Sequence, residues 1–506
     1  MTSHLSRRTL MTGLCGAATL PALGAAAGKA VAQQAVSLRA AYHLTPPSGW
    51  LSDPQRPAVT PAGHQLYYLH SDRNNAPGWW QRASSPDGLT FADGGTAIPL
   101  EPNFPVWTGS SVIDTENTAG FGAGAIVVLA TRPSGGDRFR QEQYLYFSTD
   151  GGVSFTAYGA PVIPNPDGSD WFRDPKIHWD AHRGEWVVVI GRPQSFWFAT
   201  SPDLIHWTYR SSFGYADPNI GGFECPDLFE LTADDGTSHW VLGGSTQGDY
   251  TGRPDTYAYW TGSWDGATFR PDSRDPQWLD WGWDWYAGVT WPDPGSPTTR
   301  RFGLAWMNNW HYAARTVPTD VSDGYNGQMS ITRELRLARQ PGGWYTLLSR
   351  PHPALARRAK RTVVLPDQNV DGAKVLEFAS DAYQLDLEIS WSDAANVGLS
   401  VGRSADGSRH TNIGVYAGSV YVDRRPSDRA DYSFGTYGQS EAPIDPTARS
   451  VRLTVLVDRQ SVEVFVGAGF TVLSHQVFFR PGDNGLSLYT DGGAARFSGI
   501  VVRDFA

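Results

Sequence analysis

Short aromatic and alternating stretches recur along the whole chain, among them Tyr144-Leu145-Tyr146-Phe147, Tyr257-Ala258-Tyr259-Trp260, Tyr383 to Trp391, Val451 to Val457, Ser461 to Val466 and Gly485 to Tyr489. A period of two predicts strands, because successive side chains of a strand point to opposite faces of its sheet. Runs of Ala, Leu, Glu and Lys at helical spacing are few, so the chain is expected to be all-β.

A weak repeat organises the first two thirds. Ser85-Pro86-Asp87-Gly88 leads to Phe91, Ser148-Thr149-Asp150-Gly151 to Phe155, Ser201-Pro202-Asp203 to Trp207, and Ser263-Trp264-Asp265-Gly266 to Phe269. Asp-Gly between aromatic stretches is a hairpin signal. A hairpin returning about every sixty residues is what a β-propeller of four-stranded blades writes into its sequence. The pattern ends after Arg333-Glu334-Leu335, and Gln340-Pro341-Gly342-Gly343 with the basic, proline-containing stretch Arg350 to Pro366 suggests a boundary. The long alternating strands beyond it predict an antiparallel β-sandwich. The expected domains are a leader over 1–32, a catalytic propeller over 38–345 and a sandwich over 365–506.

The leader is read from a polar start, an apolar stretch from Leu10 to Ala27 and the small-residue site Ala30-Val31-Ala32. Ser6-Arg7-Arg8-Thr9-Leu10-Met11 resembles a twin-arginine export signal, so a secreted, extracellular protein is expected. No later segment is apolar for long enough to span a bilayer. Loss of Cys15 with the leader leaves Cys225 alone, without a partner for an intramolecular disulfide. The 41 Lys and Arg stand against 51 Asp and Glu, a net charge of −10 that becomes more negative once Arg7, Arg8 and Lys29 leave. That sign argues against nucleic acid and anionic membranes as partners and is indifferent to a neutral polymer. Metal-ligand spacing, a phosphate loop and a dinucleotide fingerprint are all missing, so neither metal nor cofactor is expected.

Three acids sit in unusual company: Asp53 in Trp50-Leu51-Ser52-Asp53-Pro54-Gln55, Asp174 in Phe172-Arg173-Asp174-Pro175-Lys176, and Glu224 in Phe223-Glu224-Cys225-Pro226-Asp227. Cleaving a glycosidic bond with retention needs two carboxyl groups roughly 5 Å apart, one ionised to attack and one protonated to release the leaving oxygen. In this order and company the trio resembles glycoside hydrolase family 32, the invertases, inulinases, levanases and fructosyltransferases. Further matching text is Trp107-Thr108-Gly109-Ser110, Gln143-Tyr144-Leu145-Tyr146, Leu279-Asp280-Trp281-Gly282, Asp284-Trp285-Tyr286-Ala287, Ala305 to Trp310, Arg333-Glu334-Leu335 and Asp458 to Phe465.

The resemblance implies a five-bladed propeller with an axial pocket, followed by a sandwich. It assigns Asp53 as nucleophile, Glu224 as acid/base with a pKa raised by a nearby carboxylate, and Asp174 as transition-state stabiliser kept ionised by Arg173. Trp50, Trp107, Trp310 and Tyr286 become candidates to stack on sugar, with Ser52, Ser110, Arg173 and Cys225 as further substrate contacts. For Cys225, packing beneath the site and direct tuning of Glu224 both stay open, and Glu463 is expected to be structural.

Ser52 and Arg56 stand where many members of that family have Asn and Gly, and Tyr67-Tyr68-Leu69-His70 lacks a glutamine common there. The resemblance therefore points away from single-fructose release and toward the levan-specific branch, whose partners are levan and fructo-oligosaccharides. Two endings for a released two-fructose unit are implied, intramolecular transfer to difructose dianhydride IV, which is preferred, and hydrolysis to levanbiose. A general exo-levanase, a non-catalytic fructan-binding protein and a propeller glycosidase acting on arabinans are the alternatives.

Overall fold

The inner strand of each sheet in the first part of the chain is built from residues that tolerate burial on both faces. Gly49–Thr60, Gly109–Asp114, Arg173–Asp180, Phe223–Thr232 and Tyr286–Pro292 are largely buried along their length. Each opens a four-stranded antiparallel meander in the computed structural model, which describes residues 36–506 apart from 75, 102–104, 135–139, 249–254 and 428–434. The expected leader, with its Arg7-Arg8 pair and Cys15, lies outside the described residues.

The meanders run over 49–98, 109–163, 173–214, 223–271 and 286–351. Their first strands neighbour one another in chain order, and the fifth returns to lie beside the first, which gives a propeller-type ring. A single parallel bridge, Arg56 to Ser110, joins the first two. The ring is also latched from its far end, where Tyr325–Asn326 pairs in parallel with Gly49 and Trp50. Within the described residues α-helix is limited to Pro318–Ser322, and no helix is long and apolar enough to cross a membrane.

The repeated aspartates all occupy the turn between third and fourth strands. Leu89 N, Val153 N, His206 N and Thr268 N donate to Asp87, Asp150, Asp203 and Asp265 at 3.1, 3.0, 2.8 and 2.8 Å. A carboxylate that satisfies turn amides explains why this residue type recurs there. Gln340–Gly343 plays the same part in the fifth sheet. The expected boundary at that point is therefore a hairpin turn, because Tyr345–Pro351 pairs with Arg333–Arg339 and completes the sheet.

The remaining strands form two sheets, one centred on Tyr383–Trp391, Ser450–Asp458 and Ser461–Val466 and the other on Asn396–Arg403, Thr411–Tyr416 and Gly485–Asp491. Leu385, Leu387, Val455 and Val464 from the first meet Leu399, Val401, Ile413 and Leu488 from the second in one buried core, as two packed sheets require. Strand Arg361–Val364 already pairs with Ala495–Asp504 of this sandwich.

Sandwich and ring are joined by buried charge. Arg333 of the fifth sheet is fully buried and donates to Asp280 at 2.8 Å, to Glu463 at 2.7 Å and to the Ser474 hydroxyl at 2.5 Å. Glu463, on a sandwich strand, also accepts from Ile331 N at 2.9 Å and from His43 Nε2 at 3.0 Å, while His43 Nδ1 meets Asp458 at 2.8 Å. Gly282 permits this approach, since a Cβ there would lie 2.1 Å from the Ser474 backbone. Burial works against a charged His43, yet the two carboxylates outweigh it and hold the ring up at about 9. The folded value exceeds the ordinary 6.5, so this stabilisation is complete below pH 6.5 and is lost as pH rises through about 9. Chemical unfolding followed from pH 6 to pH 10 should show stability declining over that window, and His43→Gln should flatten the decline.

Candidate active site

Four of the five inner strands carry the same irregularity at the same level. Between the pairs Leu51–His70 and Pro54–Tyr68, Ser52 and Asp53 together oppose Leu69. Asp174 and Pro175 oppose Ile190, Cys225 and Pro226 oppose Gly244, and Ala287 and Gly288 oppose Ala305. Two residues against one is a β-bulge, which bends a strand and re-aims a side chain. Proline is tolerated there because a bulged residue leaves the hydrogen-bond ladder, which accounts for Pro175 and Pro226, while Pro54 directly follows the bulge at Ser52 and Asp53. The backbone is left-handed at Asp174 (φ 61°), Cys225 (φ 46°) and Ala287 (φ 53°), a conformation that costs on the order of 1–3 kcal/mol for such residues and clusters at functional sites.

The bulges bring the three acids together around Cys225. Its backbone N–H donates to Asp174 Oδ2 at 3.1 Å, and its buried Sγ lies 3.7 Å from that oxygen and 4.0 Å from Asp53 Oδ2. Glu224 directly precedes it in the chain. Cys225 thus sits between both aspartates.

Asp53 is 9 % exposed and accepts from the Thr108 hydroxyl at 2.6 Å through Oδ2, while buried Oδ1 has no hydrogen-bond partner among the described residues. Burial raises the Asp53 pKa, the Thr108 bond opposes it and Glu224 adds to it, with the result at about 6. Burial and then the Glu224 charge also push Asp174 upward. Arg173 opposes that push only through space. Its Nη1 bonds Glu224 Oε1 at 3.0 Å, and so its direct partner is not the expected Asp174. The guanidinium is held by Gln141 at 3.1 Å and lies over Trp171 and Trp107, 4.3 and 5.5 Å from the ring centres.

Tyr286 is fully buried, and its hydroxyl donates to Glu224 Oε2 at 2.6 Å. It serves as a hydrogen-bond donor, where a stacking face was expected. Trp50 and Trp310 meet edge to face at 5.9 Å, Trp306 packs edge to face against both, and Trp310 remains 38 % exposed. Ser52 shares the bulge of Asp53 and is buried. Ser110 does not join the cluster. It is fully buried, donates to Pro175 O at 2.8 Å and accepts from Ile177 N at 2.9 Å, which ties the second sheet to the third.

Sequence reasoning missed three groups that hold the acids in place. Thr108 was visible only as part of a motif. Thr131 accepts from Asp174 N at 2.8 Å, and Gln55 bridges Asp53 O at 2.9 Å and Gly109 N at 2.7 Å. Among the described residues no group of His, Cys, Asp and Glu is arranged to hold a metal ion.

A levanbiose-producing levanase of Bacillus subtilis is 46 % identical over 486 residues, covering 94 % of this chain and 93 % of that protein. One of Geobacillus stearothermophilus is 45 % identical over 403 residues, covering 78 % of this chain and all of the other. The exo-inulinase of Aspergillus awamori superposes with a TM-score of 0.83 at 25 % identity, covering 93 % of this chain and 99 % of that one. Residues 43–351 match the N-terminal domain and residues 354–504 the C-terminal domain of glycosyl hydrolases family 32. With both domains matched in order and the acidic cluster inside the first, this chain belongs to glycosyl hydrolases family 32.

Proposed function

We propose that the chain is a secreted levanase that removes two-fructose units from levan, a β-2,6-linked fructan, by a retaining double displacement and releases levanbiose. The observation that carries this reading is the 46 % identity over nearly the full length of a levanbiose-producing levanase, joined to an intact acidic trio at the bulges. Two relatives of that description favour hydrolysis over the intramolecular transfer expected from the sequence. Fructo-oligosaccharides are the companion substrates. The catalytic domain is a five-bladed propeller from about residue 38, extended past 345 to Pro351 by its last strand, and the sandwich runs on to residue 506. Residues 1–32 act as a leader of the twin-arginine type.

In the first step the Asp53 carboxylate attacks the anomeric carbon while Glu224 protonates the departing oxygen. In the second, Glu224 takes a proton from water, which opens the fructosyl ester on Asp53. Tyr286 and Arg173 hold both Glu224 oxygens, so the same carboxyl stays aimed through both steps. Asp174, its carboxylate met by Cys225 N–H and its backbone N–H held by Thr131 of the second sheet, bonds fructosyl hydroxyls and steadies the positive charge of the transition state. Trp50, Trp107 and Trp310 offer flat apolar faces to sugar, and Ser52 lies beside the nucleophile.

Three outcomes test the reading. Chromatography of a levan digest should give levanbiose as the main product. Predominant difructose dianhydride IV would restore intramolecular transfer, and predominant free fructose would sink the two-unit mode. Glu224→Gln should lower kcat about 10²–10⁴-fold while levan binding persists in affinity electrophoresis, which separates catalysis from simple binding. Because Asp53 attacks only when ionised, kcat/KM should fall as pH drops through about 6. Thr108→Val removes a bond that favours the ionised form, so the acid limb of the profile should move to higher pH.

A further inference from the structure

The two ends of the sandwich core are finished differently. At the end beside the ring, Ala382, Leu456 and Phe505 pack with Leu89 and Ile331 of the propeller. Tyr383–Trp391 runs away from that contact, and at about 3.3 Å per residue its length places Trp391 roughly 25 Å from it. Trp391 stands in the same alternation as Leu385, Leu387 and Ile389, so its indole lies on the inner face of the sheet. It is nevertheless only half-buried.

Segments 392–395, 417–418 and 444–449 surround this end without covering it and enclose a cavity of about 290 Å³. Its floor is apolar, for Trp391, Val415 and Ile444 line it and also pack on the sandwich core. The walls are fixed by backbone bonds, Trp391 N to Arg449 O at 3.0 Å and Ile444 N to Gly418 O at 2.9 Å. The charged residues of the lining are Asp393, Asp445 and Arg449. Asp393 accepts from Ser392 through Oδ2 at 3.0 Å, Asp445 accepts from Thr447 N through Oδ1 at 2.8 Å, and Arg449 Nη1 donates to Ala448 O at 2.8 Å. The second oxygen of each carboxylate, with Nε and Nη2 of the guanidinium, makes no bond among the described residues and stays open to a ligand.

An aromatic floor under a rim that both donates and accepts suits a ligand with C–H faces and hydroxyl edges, because a hydroxyl can give a hydrogen bond to a carboxylate and take one from a guanidinium. Two carboxylates beside one guanidinium nearly cancel, so a strongly charged ligand of either sign gains little there. At about 30 Å³ per water the space equals about ten waters, the scale of a sugar ring. Its open side lets a longer chain pass in and out. We propose that this cavity is a second levan-binding site, which anchors the polymer at the end of the sandwich away from the active site. The occupant is levan because levan is the neutral polymer this protein meets as substrate, so the site rests on that reading of the function. A short oligosaccharide held at the acids cannot reach it, and its effect is confined to long chains, whose ends it keeps at high local concentration.

Affinity electrophoresis through gels containing levan reads the site in the full chain carrying Glu224→Gln, which leaves the polymer intact. Adding Trp391→Ala should weaken retardation about tenfold. Should Trp391→Ala fail to fold, Asp393→Ala and Arg449→Ala, whose side chains lie on the exposed rim, carry the comparison. With Glu224 restored, the folded variants should show KM for long levan raised about tenfold at unchanged kcat, and neither constant altered on short levan oligosaccharides. Variants retarded as strongly as the parent, a loss of activity shared by short oligosaccharides, or equal retardation in dextran gels would overturn the proposal. Retardation is read without reference to the product, so a digest other than levanbiose overturns the two-unit mode alone.

Discussion

A one-residue excess in the first strand of a sheet is the constraint on which the site depends. A regular inner strand would keep its side chains alternating between the two faces of its sheet, and an acid there would pack against the neighbouring sheet. The bulges at 52–53, 174–175, 225–226 and 287–288 break that alternation at one level of the ring and turn successive strands toward a common point. The left-handed backbone at Asp174 and Cys225 is strain stored where function needs it, and the packed ring behind it offsets the cost.

Converging carboxylates repel one another, and burial makes the repulsion stronger. The structure answers with a division of partners. Glu224 receives Arg173 and Tyr286, Asp53 receives Thr108, and Asp174 receives the backbone of Cys225. Each bond comes from a different strand or loop, so no single element sets the geometry. The second sheet, which has no bulge at this level, contributes the Thr108 donor at the entry to its first strand. Cys225 has the right size for its place. A sulfur 3.7 and 4.0 Å from two carboxylate oxygens fills the gap between them without adding a charge.

The same logic extends to the sandwich. Its attachment rests on Arg333, Glu463, His43 and Asp458, and on a second buried pair, Arg424 to Asp284 at 2.6 Å. Such pairs add little net stability over apolar packing but are costly to break, so they specify one docking arrangement. Asp280 and Asp284 belong to the segment leading into the fifth inner strand, two residues before Tyr286 in the case of Asp284. The sandwich thereby braces the strand that delivers a donor to Glu224.

Local patterns were sufficient for much of this. The repeated aspartates marked the turn between third and fourth strands because a carboxylate satisfying nearby amides is a contact within a few residues. Alternation identified the strands, and the acids with their prolines marked the bulges without naming them as such. The turn at Gln340–Gly343 misled because glycine and proline write the same text for a hairpin as for a linker, and only the pairing of Tyr345–Pro351 distinguishes them. By itself the sequence determined which chemical groups were available and the family to which they belong. Tertiary structure alone decided their partners. Tyr286 bonds Glu224, Cys225 reaches Asp53 and Ser110 ties two sheets together across separations of 62, 172 and 65 residues, distances over which no periodicity or turn preference carries information. Those contacts exist because ring closure brings the inner strands side by side.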